Sequence, residues 1–238
     1  MRATPRHATG ALLFSCLGAL LFAASLLFFL YSYLVRFGRG ADGAAWPPLI
    51  IDALLFSGFA LHHSVFARAG IKQRLTAVVP NMLERSVYVW IASALFFVVC
   101  AAWRPVPGEL YRLTGAAAAA AYGVHIAGIL LTARGSARLD VLDLAGIRPL
   151  LTPANSKHVP LQTRGVYGFV RHPVYFAWVL MVFGTPHMTM TRFTFAAIST
   201  AYLAIAIPME ERGLIRVFGA EYREYQRRVR WRMLPGVY

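Results

Sequence analysis

The sequence predicts an all-α, polytopic transmembrane protein with five or six spans and a cytoplasmic C-terminal helical cap. Three observations carry this. Charged residues make up 14% of the 238 positions, where a soluble domain has roughly 25%. Mean hydropathy is +0.55. Several apolar runs approach the roughly 20 residues that a helix needs to cross a hydrocarbon core.

Taken in order, residues 11–35 (ALLFSCLGALLFAASLLFFLYSYLV) span easily. They are too long for the apolar region of a signal peptide and no small-residue cleavage site follows, so they read as a retained first helix. Residues 48–66, 87–103 and 115–133 qualify as spans with one or two polar residues each, and the alanine run at 116–121 suits close helix packing. Residues 174–186 and 192–208 are apolar but short. They flank Pro186-His187-Met188-Thr189 and read as a hairpin that either crosses fully or re-enters. Function is expected to divide near residue 134. Residues 1–133 would form the scaffold and substrate access. Residues 134–238 would form a cofactor-binding region with the membrane hairpin and a cytoplasmic tail. The stretch 134–173 is the longest polar one. Gly146, Pro149, Pro153, Pro160 and Gly165 break it, and a loop of that length in a compact protein is usually functional or disordered.

The net charge of +14 does not indicate nucleic acid, because its distribution is that of a membrane protein. With six spans, 19 of the 24 Lys and Arg residues fall on one side. The positive-inside rule then places both termini in the cytoplasm, and a bacterial inner membrane is the expected location. Most of these basic residues would meet anionic lipid head groups. The two cysteines, Cys16 and Cys100, lie in separate spans and read as small apolar residues, not as a metal or redox pair.

Two clusters carry chemistry. The first is Gly165-Val166-Tyr167-Gly168-Phe169-Val170-Arg171-His172-Pro173-Val174-Tyr175. Pro173 suits the first turn of a helix, which would put Arg171 and His172 beside a helix N-terminus able to meet an anionic group. In the competing reading, Arg171 snorkels to the interface and the tyrosines belong to an aromatic belt. The second is Pro208-Met209-Glu210-Glu211-Arg212-Gly213-Leu214, with Phe218-Gly219, Tyr222 and Tyr225. Adjacent carboxylates at the end of an apolar span are costly and usually mark function. If the helix continues, Glu210, Leu214, Phe218, Tyr222 and Tyr225 share one face. The competing reading is an amphipathic helix resting on the bilayer.

The pair of motifs, RHPxY and then EExxL with FG and YxxY, resembles the isoprenylcysteine carboxyl methyltransferase and phospholipid methyltransferase superfamily of membrane enzymes over roughly residues 155–232. The resemblance implies transfer of a methyl group from S-adenosylmethionine to a lipophilic or membrane-accessible acceptor, leaving S-adenosylhomocysteine. It implies that Leu161, Gln162, Tyr167, His172, Pro173, Val174, Tyr175 and Glu210 bind the cofactor, with Arg171 and Glu211 as catalytic candidates. No metal is implied. One helical turn before Glu210 the isoprenylcysteine enzymes have a substrate-contacting arginine; here it is Ala206. That weakens the case for a prenylcysteine carboxylate. The segments His62-His63-Ser64-Val65-Phe66-Ala67-Arg68 and Glu84-Arg85-Ser86-Val87-Tyr88 resemble the methanethiol S-methyltransferases and NnrU-like proteins, which shifts the expected acceptor toward a small thiol.

Other polar residues leave alternatives open. Asp52, His62, His63 and His125 lie in predicted spans, where ionisable groups are functional suspects. His63 and His125 could ligate haem in an isomerase of the NnrU-like type. His158 could approach the cofactor, and His187 reads as an interfacial loop residue. A transporter should show symmetry between halves, and the sequence shows none.

Overall fold

The computed structural model describes residues 5–66, 76–137, 142, 146–151 and 160–238. His158, Ala67 and Arg68 lie outside them. The described elements are α1 (Pro5–Tyr31), α2 (Trp46–Phe66), α3 (Glu84–Ala102), β1 (Glu109–Arg112), α4 (Gly115–Ala137), α5 (Arg148–Leu151), α6 (Pro173–Phe183), β2 (His187–Thr189), α7 (Met190–Phe218) and α8 (Ala220–Arg228). A π-helical turn at Ser32–Arg36 extends α1. Among the described residues, five helical stretches are long and apolar enough to cross a membrane: Thr9–Arg36, Trp46–Phe66, Asn81–Ala102, Gly115–Gly135 and Met190–Phe218. A helix satisfies its own backbone, as lipid demands. The large apolar side chains that stay exposed on these helices, such as Leu20, Leu54, Leu61 and Ile205, therefore have acyl chains to face. The protein is an integral membrane protein of all-α class with one small strand pair.

The chain divides into two compact units, Met1–Pro107 with Leu139–Ser156, and Gly108–Arg138 with Lys157–Tyr238. In the first, α3 packs against both α1 and α2. Phe14 stacks on Trp90 and Phe28 on Phe97, at ring-centroid distances of 5.7 and 4.4 Å. Several polar groups are paired within the unit. Ser15 and Ser86 share a 2.6 Å hydrogen bond, and the Ser86 hydroxyl also donates to the Gly146 carbonyl. Arg36 donates to the carbonyls of Cys100 and Ala101 at the end of α3, where the helix leaves acceptors without partners and favours a cation. Asp52 accepts from the Arg104 backbone N–H at 2.8 Å. His63 and Tyr88 hydrogen-bond at 2.7 Å, while His62 stacks on Phe66 and Tyr88. Both cysteines are free thiols.

In the second unit, α6 has 11 residues and so a length of roughly 16 Å, about half the hydrocarbon thickness. It is held by α4. A Cβ built on Gly128 would lie 2.5 Å from the Met181 backbone nitrogen and 2.7 Å from the Ala177 carbonyl oxygen, so only glycine permits this approach. His125 Nδ1 adds a 2.6 Å bond to the Met181 carbonyl. The turn after α6 enters β2, which pairs antiparallel with β1. The sequence reading contained no strands; this pair is too short and too exposed on the β1 side to leave an alternating pattern. Glu109 joins it to its neighbours through Arg112 at 2.8 Å and His187 at 2.7 Å. Those two partners, Arg112 first, hold the Glu109 carboxyl below its usual range.

The second arm of the hairpin corrects the expected boundary. The apolar run was taken to end at Pro208, but α7 continues through it to Phe218, with Thr189 capping its start by accepting the Arg192 N–H. The helix ends at Gly219, whose φ of +57° suits glycine, and α8 begins a new direction. The single face expected from Glu210 to Tyr225 is therefore split over two helices.

Gly128→Ala should lower stability by about 1–3 kcal/mol, as overpacking does. Gly123→Ala on the same helix, where a Cβ meets nothing within 4 Å, should be neutral. Thermal unfolding in detergent distinguishes the two.

Candidate functional site

The residue before a helix that starts on proline is pushed away from helical geometry. His172 sits there with φ −120° and ψ 69°, and Pro173 opens α6. The two N–H groups this turn presents are bound within the protein. Arg171 N donates to the Trp231 carbonyl at 2.9 Å and His172 N to the Arg232 carbonyl at 2.8 Å. The Arg171 side chain adds bonds from Nη1 to the carbonyls of Val229 and Arg230. Four consecutive carbonyls, 229–232, thus grip two residues. Both amides of the turn are occupied, and the Arg171 side chain is buried, 6% exposed.

Arg171 Nε meets Glu211 Oε1 at 2.5 Å. The same carboxylate accepts from Tyr222 OH at 3.3 Å and Gln226 Nε2 at 3.1 Å, with Arg232 Nε 3.5 Å away. A buried carboxylate needs this many partners to offset its lost hydration. Tyr225 OH donates to the Tyr167 carbonyl at 2.7 Å. Burial raises both phenols, Tyr225 to about 12, so each remains a neutral donor. Leu161, Tyr167, Leu214, Ile215 and Phe218 pack against Tyr222, Tyr225 and Val229.

Neighbouring residues on a helix point about 100° apart, and the two glutamates separate accordingly. Glu211 is buried, while the Glu210 side chain is 45% exposed. Tyr175 OH donates to Glu210 Oε2 at 2.8 Å, and His172 Nδ1 lies 3.6 Å from the same oxygen. The rings of His172 and Tyr175 stack with centroids 5.4 Å apart and planes within 8°. His172 Nε2 is buried without a hydrogen bond, its nearest charged atom being Glu211 Oε1 at 3.5 Å.

Among the ten residues singled out from sequence, His172, Tyr175, Glu210, Arg171 and Glu211 come together in one connected cluster. Leu161 and Tyr167 join through the tyrosine cluster. Pro173 borders a cavity of about 110 Å3 with apolar walls, shared with Leu131, Val166, Phe169, Val170, Phe176 and Pro235. Val174 turns toward α4 at Gly135, and Gln162 is exposed. Gln226, Arg232, Tyr238 and the 229–232 carbonyls are parts of the cluster that sequence reasoning did not find. Main-chain acceptors leave no residue signature.

A family model described as the isoprenylcysteine carboxyl methyltransferase (ICMT) family matches residues 150–216. Methanethiol S-methyltransferase 2 of Bradyrhizobium diazoefficiens is 35% identical over 184 residues, which cover 76% of this chain and 71% of that one. Methanethiol S-methyltransferase of Mycobacterium tuberculosis is 30% identical, with 87% and 91% covered. The Nurim homolog of Drosophila melanogaster is 24% identical over 68% of each chain. No solved structure matches the chain.

Replacing Glu211 by Leu should destabilise the protein by about 3–5 kcal/mol, because it strands a buried guanidinium, and Arg171→Met should do the same to the carboxylate. The double replacement should cost less than the sum of the two. Denaturation midpoints of the four proteins check this.

Proposed function

This chain belongs to the methanethiol S-methyltransferase family of integral membrane methyltransferases, and on that premise we propose that it methylates the sulfur of a small thiol, with S-adenosylmethionine as donor and S-adenosylhomocysteine as product. One observation carries the reading: His172 and Tyr175 converge on the half-open carboxylate of Glu210, 35 residues beyond Tyr175 in the chain, with Tyr175 bonded to it.

The residues present suit that donor. The stacked His172 and Tyr175 rings offer an aromatic platform of the kind a purine or a cation meets. The Glu210 carboxylate is available to a positive charge, and the buried His172 Nε2 has hydrogen-bonding capacity to spare. S-adenosylmethionine supplies an electrophilic methyl group on a sulfonium. The protein's task is then alignment and the exclusion of water. Leu161 and Tyr167 pack against Tyr222, Tyr225 and Val229, beside the Arg171–Glu211 pair. We assign Arg171 and Glu211 to positioning in place of direct contact with the reactants, because both are buried and bonded to several partners within the protein. Gln162 and Val174 keep weaker roles, at the rim and in packing.

A short alkyl group fits the apolar cavity beside Pro173. Its size favours a short alkyl group over a prenyl chain, since drug-sized sites start at roughly 300 Å3. Ala206 in place of an arginine favours the same choice. The names of the relatives point to methanethiol. Haem ligation by His63 and His125 is not favoured, because the relatives' names are those of methyltransferases. The skew of basic residues supports a bacterial inner membrane with both termini in the cytoplasm, and a division of labour in which residues 1–133 admit the acceptor and 134–238 hold the donor.

Detergent-solubilised protein should bind S-adenosylhomocysteine and methylate methanethiol or ethanethiol, and should leave a prenylcysteine untouched. His172→Ala and Glu210→Gln should each weaken S-adenosylhomocysteine binding at least about tenfold with little change in thermal midpoint. Full activity and unchanged affinity in His172→Ala would overturn the assignment.

A further inference from the structure

We propose that Tyr238 is a positioning residue for methyl transfer, whose hydroxyl replaces the backbone N–H that Pro208 lacks and so fixes the direction of the Glu210–Glu211 segment. The proposal rests on the functional reading above.

A proline inside a helix removes one i→i−4 hydrogen bond and pushes aside the carbonyl that would have accepted it. For Pro208 that carbonyl belongs to Ala204. Left bare in an apolar setting, such a group is costly. In the structure Tyr238 OH donates to the Ala204 oxygen at 3.0 Å. The donor comes from 34 residues away and meets the one acceptor that Pro208 frees.

Tyr238 is tied as firmly on its other sides. Its carbonyl accepts from the N–H groups of Arg232, Met233 and Leu234 at 2.9, 2.9 and 3.0 Å, and its own N–H donates to Leu234. Its ring lies 5.0 Å from the Arg232 guanidinium, whose Nε is 3.5 Å from Glu211 Oε2. The Arg232 carbonyl in turn accepts the N–H of His172. One side chain thus connects the proline break, two residues before Glu210, to the turn that carries His172. It touches neither. Its contribution is the angle at which α7 presents Glu210 to His172 and Tyr175.

The hydroxyl is the only atom that distinguishes this role from packing, so Tyr238→Phe is the informative change. Pro208→Ala returns an N–H to Ala204 and makes the hydroxyl redundant. We therefore expect Tyr238→Phe to weaken S-adenosylhomocysteine binding, and to raise the donor KM, by about fivefold, the effect of one ordinary hydrogen bond. In the Pro208→Ala background the same change should have less than about a twofold effect. If Tyr238→Phe fails to fold, recovery of folded, binding-competent protein in the double variant supports the proposal, and failure to recover it contradicts it. Equal losses in both backgrounds, or no loss in either, would overturn the proposal while leaving the functional reading intact. Absence of S-adenosylhomocysteine binding by the unmodified protein would instead remove the functional reading on which the proposal rests.

Discussion

The buried pair of Arg171 and Glu211 is the interaction on which the rest of this site depends. A guanidinium and a carboxylate removed from water are tolerated only when nearly every donor and acceptor is used. Here Arg171 is bound by Glu211 and by two main-chain carbonyls, and Glu211 by two further side chains. These requirements are geometric. They fix the start of α6 against the end of α7 and bring residues 229–232 between them. Glu210 and His172, the neighbours of the pair in sequence, then face each other without needing strong bonds of their own. A ligand site can stay partly open because the residues beside it are closed.

The membrane imposes the remaining constraints. Helix α6 is short, and its position relies on Gly128 and on the His125 bond to the Met181 carbonyl. Both are close-packing devices that work without a hydrophobic driving force between helices. Pro208 is handled in the same spirit, by supplying a donor from elsewhere in the unit. Each irregularity of backbone near the site has a named partner, as lipid requires.

Much of this was legible in the sequence. The apolar runs marked the long helices, and Pro173 marked the start of α6. The RHPxY and EExxL motifs marked the two segments that meet. The rest was not legible for definite reasons. The helix through Pro208 depends on a tyrosine 30 residues later, and propensity alone argues for a break. The different fates of Glu210 and Glu211 depend on which side of α7 faces the 229–232 carbonyls, and adjacent identical residues give no hint of that. The burial of Arg171 against Glu211 was not legible either, because its further acceptors are backbone atoms that any residue could provide. The β1–β2 pair is three to four residues on each side, below the length at which periodicity speaks.

The central claim is that the arginine–histidine–proline turn and the first glutamate hold S-adenosylmethionine while Arg171 and Glu211 hold that arrangement in place. An experimental structure of the protein with S-adenosylhomocysteine tests it most directly. The account predicts the nucleoside against the His172 and Tyr175 rings with Glu210 in contact, and Arg171 still bonded to Glu211. Product bound away from these residues, or Arg171 released from Glu211 to grip the ligand's carboxylate, would contradict it.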